Sequence, residues 1–122
     1  MNKSQALYKF WSGFGIPAYE ENSVPDEAML PYITYSESTS TIGNTTPLSA
    51  SIWYFSEGWA EIINKTADIS EGIGYGGVTV QYDNGLLWVN RGRPFAQRMN
   101  EPSDRRIKRM LLNIYAEFIS QN

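Results

Sequence analysis

Neither cysteine nor histidine occurs among the 122 residues. That double absence removes the thiolate nucleophile, the imidazole base and every zinc site of Cys/His type. Only carboxylate, Lys, Tyr or hydroxyl chemistry is left open. Long apolar runs are missing too: nothing approaches the roughly 20 residues that span a bilayer. The opening "MNKSQALYKFW" lacks the apolar core and small-residue cleavage site of a signal peptide. The expectation is a protein made and kept inside a cell, with no membrane partner. The sequons at Asn44 and Asn64 then carry no glycan, because glycosylation needs a secretory route.

What is present bounds the architecture. A chain of 122 residues and 13.8 kDa is one domain, 1–122, by length. Surface scaling gives roughly 6,600 Å² folded against about 20,000 Å² unfolded, enough burial for a core without disulfides. The net charge of −3 hides a split. Residues 1–84 hold ten acids and three bases, whereas residues 85–122 hold three acids and seven bases. Such asymmetry suits head-to-tail contact between copies or contact with two unlike partners, and equally a solvated distribution with no role.

Along the chain, Leu7, Tyr8, Phe10 and Trp11 fall near helical spacing between Ser4, a candidate cap, and Gly13 and Gly15, predicting a short helix. The segment Ile16 to Met29 holds two prolines and four acids; we read it as a connector with an extended piece near Ala18 and Tyr19. From Pro31 the pattern is β, since Tyr32, Ile33, Thr34 and Tyr35 favour a pleated surface. The polar tract Ser36 to Thr46 contains Gly43-Asn44, the mark of a hairpin turn. The return arm "LSASIWYF" alternates Leu48, Ala50, Ile52 and Tyr54 against Ser49, Ser51, Trp53 and Phe55, so one face is apolar throughout. Ser56 is placed to cap a second helix with Glu57 and Glu61 in its first turns. Its stripe of Trp59, Ile62, Ile63, Thr66, Ala67 and Ile69 must be buried.

Gly72, Gly74, Gly76 and Gly77 stop that helix, and "VTVQYDNGLLWVN" reads as a hairpin turning at Asp83-Asn84-Gly85, where Asn and Gly accept positive φ. The last segment, "RRIKRMLLNIYAEFISQN", is ambiguous. As a helix it gathers Ile107, Met110, Leu111, Ile114 and Phe118; as a strand it gathers Met110, Leu112, Ile114, Ala116 and Phe118. Residue propensities favour the helix by a small margin.

Candidate chemistry is thin. The glycines of "EGIGYGGVTV" follow a helix and precede a strand, the reverse of a phosphate-cradling loop, and fit a C-cap and turn. Glu57 with Glu61, and the group Glu20, Glu21, Asp26 and Glu27, are the only carboxylate pairs of the kind a glycosidase uses, and first-turn acids already have a structural explanation. Arg91, Arg93, Arg98, Arg105, Arg106, Lys108 and Arg109 form a basic stretch near Trp88 and Phe95 of the sort that neutralises phosphates. The acidic chain and the lack of any nucleic-acid motif argue against direct nucleic-acid binding and favour a protein contact. Seventeen aromatics, twelve of them Tyr or Trp, are the more informative feature, because these types enrich interface cores as well as interiors.

Taken in order, the N-terminal helix, "PDEAMLPYITYSES", "LSASIWYFSEGWAEIINKTADIS", "VTVQYDNGLLWVNRG" and "RRIKRMLLNIYAEFI" resemble the small tail terminator (tail completion) proteins of long-tailed bacteriophages and prophages, with "LPYITY" and "SIWYFSEGWAEI" closest. Head-tail joining proteins of similar size share the likeness. The resemblance covers nearly the whole chain. It implies an α+β domain, a mixed or antiparallel sheet with a β-hairpin and two helices packed on it, in which the last segment is a strand; we adopt the strand. It also implies a structural virion protein: a homo-oligomer, a hexameric ring, that caps the tail tube protein and docks onto the head-tail connector protein. Its place is the virion tail, with assembly in the host bacterial cytoplasm. The family offers no catalytic residue, cofactor or metal to carry over, so no enzyme is expected.

From residue type and position rather than from any matched motif, we expect Tyr32, Tyr35, Trp53 and Trp88 to pack at the ring contact, and Arg91, Arg93 and Arg98 to make its polar contacts. The alternatives are a head-tail connector or minor capsid protein, and a small carboxylate-dependent hydrolase using Glu57 or the Glu20 to Glu27 cluster.

Overall fold

The computed structural model describes residues 1–38 and 44–120. Its elements follow from the patterns above. Helix α1, Lys3–Ser12, turns Ala6, Leu7, Phe10 and Trp11 inward. Its cap is Asn2 rather than Ser4: the Asn2 side chain accepts from the Gln5 N–H while Gln5 accepts from the Asn2 N–H, a reciprocal capping box. The extended piece is strand β1, Ala18–Glu20, and the run after Pro31 is β2, Tyr32–Tyr35. The return arm is β3, Thr46–Phe55, antiparallel to β2 with Tyr32 opposite Trp53. The turn expected at Gly43-Asn44 lies partly outside the described residues.

Helix α2 is Ala60–Ile73. The expected Ser56 cap is corrected: the cap position is Trp59, three residues later, and it makes no side-chain cap hydrogen bond. Ser56 Oγ instead accepts from the Gly58 N–H and donates to Glu61. Its buried stripe is Ile62, Ile69 and Ile73, narrower than the sequence suggested, and Ile63 is 39% exposed. Gly74 ends the helix at φ 74°, a value that glycine adopts at little cost. Gly72 lies inside the last turn rather than beyond it, where a Cβ would meet the Phe14 ring at 2.9 Å.

Strand β4, Val78–Tyr82, pairs with β5, Gly85–Met99, as expected. Among the described residues no non-glycine takes positive φ, and Gly85 is not among the glycines that do, so Asn84 and Gly85 turn without the conformation foreseen for them. The Asp83 N–H donates to the Met1 carbonyl at 2.8 Å, tying the turn to the start of the chain. The final segment is β6, Ile107–Ser120, a strand and not the helix its propensities favoured. Burial decides this: Met110, Leu112, Ile114, Ala116 and Phe118 alternate into the core over the length of the strand, and a sheet centre outweighs a small helix propensity.

The result is a single-domain α+β fold with one six-stranded mixed sheet, ordered β1-β2-β3-β6-β5-β4. Only β1 and β2 run parallel; every other pair is antiparallel. Both helices lie on the same face, over a core built from Ile33, Ile52, Leu87, Val89, Leu112 and Ile114. Helix α2 packs on β3, β5 and β6, whereas α1 lies against β4 and β5 and also β1, so it touches both edge strands of the sheet. No helix is long and apolar enough to cross a membrane.

Candidate functional site

The alternation that buries one side of β3 and β6 puts the other side on a face no helix covers. Side chains point to opposite faces at each step of a strand. Tyr54 therefore goes under and Trp53 and Phe55 go out, as Lys108 goes under and Arg109 and Leu111 go out. Strand register then aligns Tyr32, Trp53, Arg109 and Met99 in one row across four strands.

This row is knit together. The Arg109 guanidinium carbon lies 4.9 Å from the centroid of the Trp53 ring, within the range where a cation is drawn to the ring face. Arg109 Nε donates to Ser51 Oγ at 3.0 Å, and its Nη1 lies 3.6 Å from the Glu101 carboxylate. The Trp53 indole N–H donates to Thr34 Oγ1 at 2.9 Å. Tyr32 meets Tyr19 edge to face at 5.6 Å. Between the row and Glu21 and Val24 of the connector runs an open cleft of about 340 Å³, floored by Ser49, Ser51 and Leu111.

One step along β3, Phe55 is 54% exposed and carries Arg106 at 4.9 Å from its centroid. Arg106 also grips Asp104 through Nε and Nη2, both at 3.2 Å; these bonds hold the Asp104 carboxyl below its usual range. On the helix side of the same end, Arg98 and Lys108 flank the Trp59 ring at 5.0 and 5.7 Å. Lys108 is buried and donates to the Arg105 carbonyl. Four cations thus sit on three aromatic rings at one end of the sheet.

The residues singled out from sequence separate accordingly. Tyr32 and Trp53 stand together on the open face. Trp88 shares that face but sits between Thr79 and Glu117, and its indole N–H donates to the Gly76 carbonyl at 3.0 Å. Arg98 is exposed beside Trp59, and Arg93 is exposed where the β5–β6 register shifts between Arg91 and Ala96. Two expectations are corrected. Tyr35 is only 4% exposed and stacks on Trp11 of α1, because it occupies the core phase of β2; it presents no surface to a partner. Arg91 spends its guanidinium inside the subunit, donating to Ser70 Oγ at 2.8 Å and to the Gly74 carbonyl at 3.1 Å. A cation at the end of α2 satisfies free carbonyls there and opposes the helix dipole.

The sequence shows Arg106 and Arg109 only as members of the basic stretch and Phe55 only in the alternation of the return arm, and places none of them at the contact. The signal for Arg109 was the strand phase of the last segment, which sets it with Leu111 and Asn113, but the competing helical period hid it. Among the described residues no group of three or more Asp and Glu gathers to hold a metal ion. No protein-family model matches the chain, and no curated protein matches it significantly.

Proposed function

We propose that this chain is a structural subunit of a bacteriophage tail, a terminator whose copies form a ring that caps the tail tube and docks onto the head-tail connector. The observation that carries this reading is the open sheet face, where Trp53, Phe55, Leu111, Tyr115 and Ile119 lie on two adjacent strands with no helix above them. Large rings with apolar bodies placed outside a subunit's own core gain most by meeting another protein. Two ring contacts of about 800 Å² each would cover roughly a fifth to a quarter of the 7119 Å² surface, so the demand is affordable for a chain of this size. The ordered likeness to tail terminators supplies the biological setting.

The test is capture by the tail tube protein encoded beside this chain's own gene, with negative-stain microscopy of polymerised tubes. Rings at tube ends are the expected result. A gene neighbourhood without tube or connector genes, together with no capture by either protein, overturns the reading; capture by the connector alone moves the subunit to the head side of the junction.

A further inference from the structure

We propose that copies of this chain meet face to back: the aromatic and cationic field on the open sheet face of one copy seats on the outer face of α2 of the next. The inference rests on the assembly reading above and names the contact that reading leaves open.

The two surfaces are complementary. At its end the open face carries Arg106 and Arg109, with Arg105 in the preceding turn, against Glu101 and Asp104, whereas Glu57 to Glu71 holds four acids and one base. Helical periodicity places Glu61, Asn64, Asp68 and Glu71 in one exposed stripe, since neighbours on a helix surface are three or four residues apart. Beside it Ala60, Ile63 and Ala67 are exposed, a strip whose small side chains let flat rings approach closely. The one base, Lys65, is turned inward: its ammonium donates to the Phe14 carbonyl at 2.7 Å and lies 3.7 Å from Asp68. The sheet field offers the opposite character, with Phe55 and Trp53 each capped by an arginine.

Geometry favours this pairing over its rivals. The field and α2 lie on opposite sides of the same sheet, so one contact leaves both remaining surfaces free, the requirement for a ring or filament. Packing the field on itself about a two-fold axis would set Arg106 and Arg109 of both copies against one another, which like charge opposes. Strand addition would have only short edges to pair with, β1 of three residues and β4 of five. Single-stranded nucleic acid would also suit exposed arginines and rings, and is the rival occupant that the test below separates.

The lack of native cysteine makes the test clean. Ala67→Cys on α2 and Leu111→Cys on the open face are prepared separately, mixed, and treated with a short bis-maleimide. The mixed pair is expected to cross-link at least about tenfold faster than either variant alone, or than Leu111→Cys mixed with Lys9→Cys on α1, a difference of about 1.4 kcal/mol in the contact. Adding Arg106→Glu and Arg109→Glu to the Leu111→Cys chain should abolish the product, and adding Glu61→Arg and Asp68→Arg to its partner should restore it. Circular dichroism of each variant checks that it folds.

Faster self-linking of Leu111→Cys, or equal rates for all pairs, overturns the proposal. So does saturable quenching of wild-type tryptophan fluorescence by oligothymidylate that is lost in Arg106→Glu/Arg109→Glu. Cross-linking without capture by tube or connector keeps the contact and removes the phage role; capture unaffected by the charge reversals keeps the role and removes the contact.

Discussion

Trp11 and Tyr35 stack with ring centroids 6.4 Å apart and planes 19° from parallel, joining the first helix to the second strand on the buried face. Trp11 is fully buried, and its indole N–H has no hydrogen-bond partner among the described residues. The stack therefore stabilises by area and dispersion rather than by hydrogen bonding.

Burial, reinforced by Glu37 and Glu20, pushes the Tyr35 phenol up to about 12, against about 10 in an unfolded chain. The unfolded state loses its proton first. The stability tied to this phenol is thus fully present below pH 10 and is lost as pH rises toward 12. Tyr54 is raised in the same direction, chiefly by burial. Absorbance titration of the phenolate band in Tyr35→Phe should lack the most alkaline step seen in the parent. A parent in which all eight tyrosines ionise near pH 10 while folded contradicts the burial.

Arg109 and Trp53 face each other across the β3–β6 pair. A double-mutant cycle with Arg109→Ala and Trp53→Ala, read by urea unfolding, should return a coupling of about 0.5–1 kcal/mol, the size for a partly exposed cation–ring pair. Additive losses would mean that the two side chains act independently.

Gly77 has φ 98°, and a Cβ there would stand 2.5 Å from the Trp88 indole nitrogen and 2.6 Å from the Val89 carbonyl oxygen. Gly77→Ala should destabilise by more than about 1 kcal/mol, through both strain and overlap. Gly58, where an added Cβ meets nothing within 4 Å, is the control; its Ala variant should unfold near the parent midpoint, and equal losses at both sites would refute the steric account.

Arg91 holds the end of α2 to β5 through Ser70 and Gly74. Arg91→Met keeps much of the stem but removes both bonds, and should cost about 1–3 kcal/mol in thermal or urea unfolding. Loss of the α2 helix signal before global unfolding would locate the effect there. An unchanged midpoint would show the guanidinium to be dispensable for folding.

Much of this was legible beforehand. The return arm disclosed its buried set because Leu48, Ala50, Ile52 and Tyr54 recur at every second residue, and the second hairpin announced itself through Asp83-Asn84-Gly85. Two things were hidden, each for a physical reason. The last strand is rich in good helix formers, and only its position between β3 and β5 selects the two-residue period. Tyr32 and Tyr35 looked equivalent by type, yet three steps along a strand reverse the face, so one lines the open row and the other lies beneath α1. The surface was hardest to see because its parts, Phe55 of β3, Arg109 of β6 and Arg106 of the turn before β6, are brought together by a strand register that no local signal sets.

The first helix rests against both margins of the sheet, and this shapes how the molecule can fail as well as how it can associate. Strand margins left bare are where folded proteins recruit one another into runaway fibrils. Here both margins are short, three and five residues, and a single ten-residue helix packs against each, so shortening or unwinding it should turn a well-behaved subunit into one that precipitates.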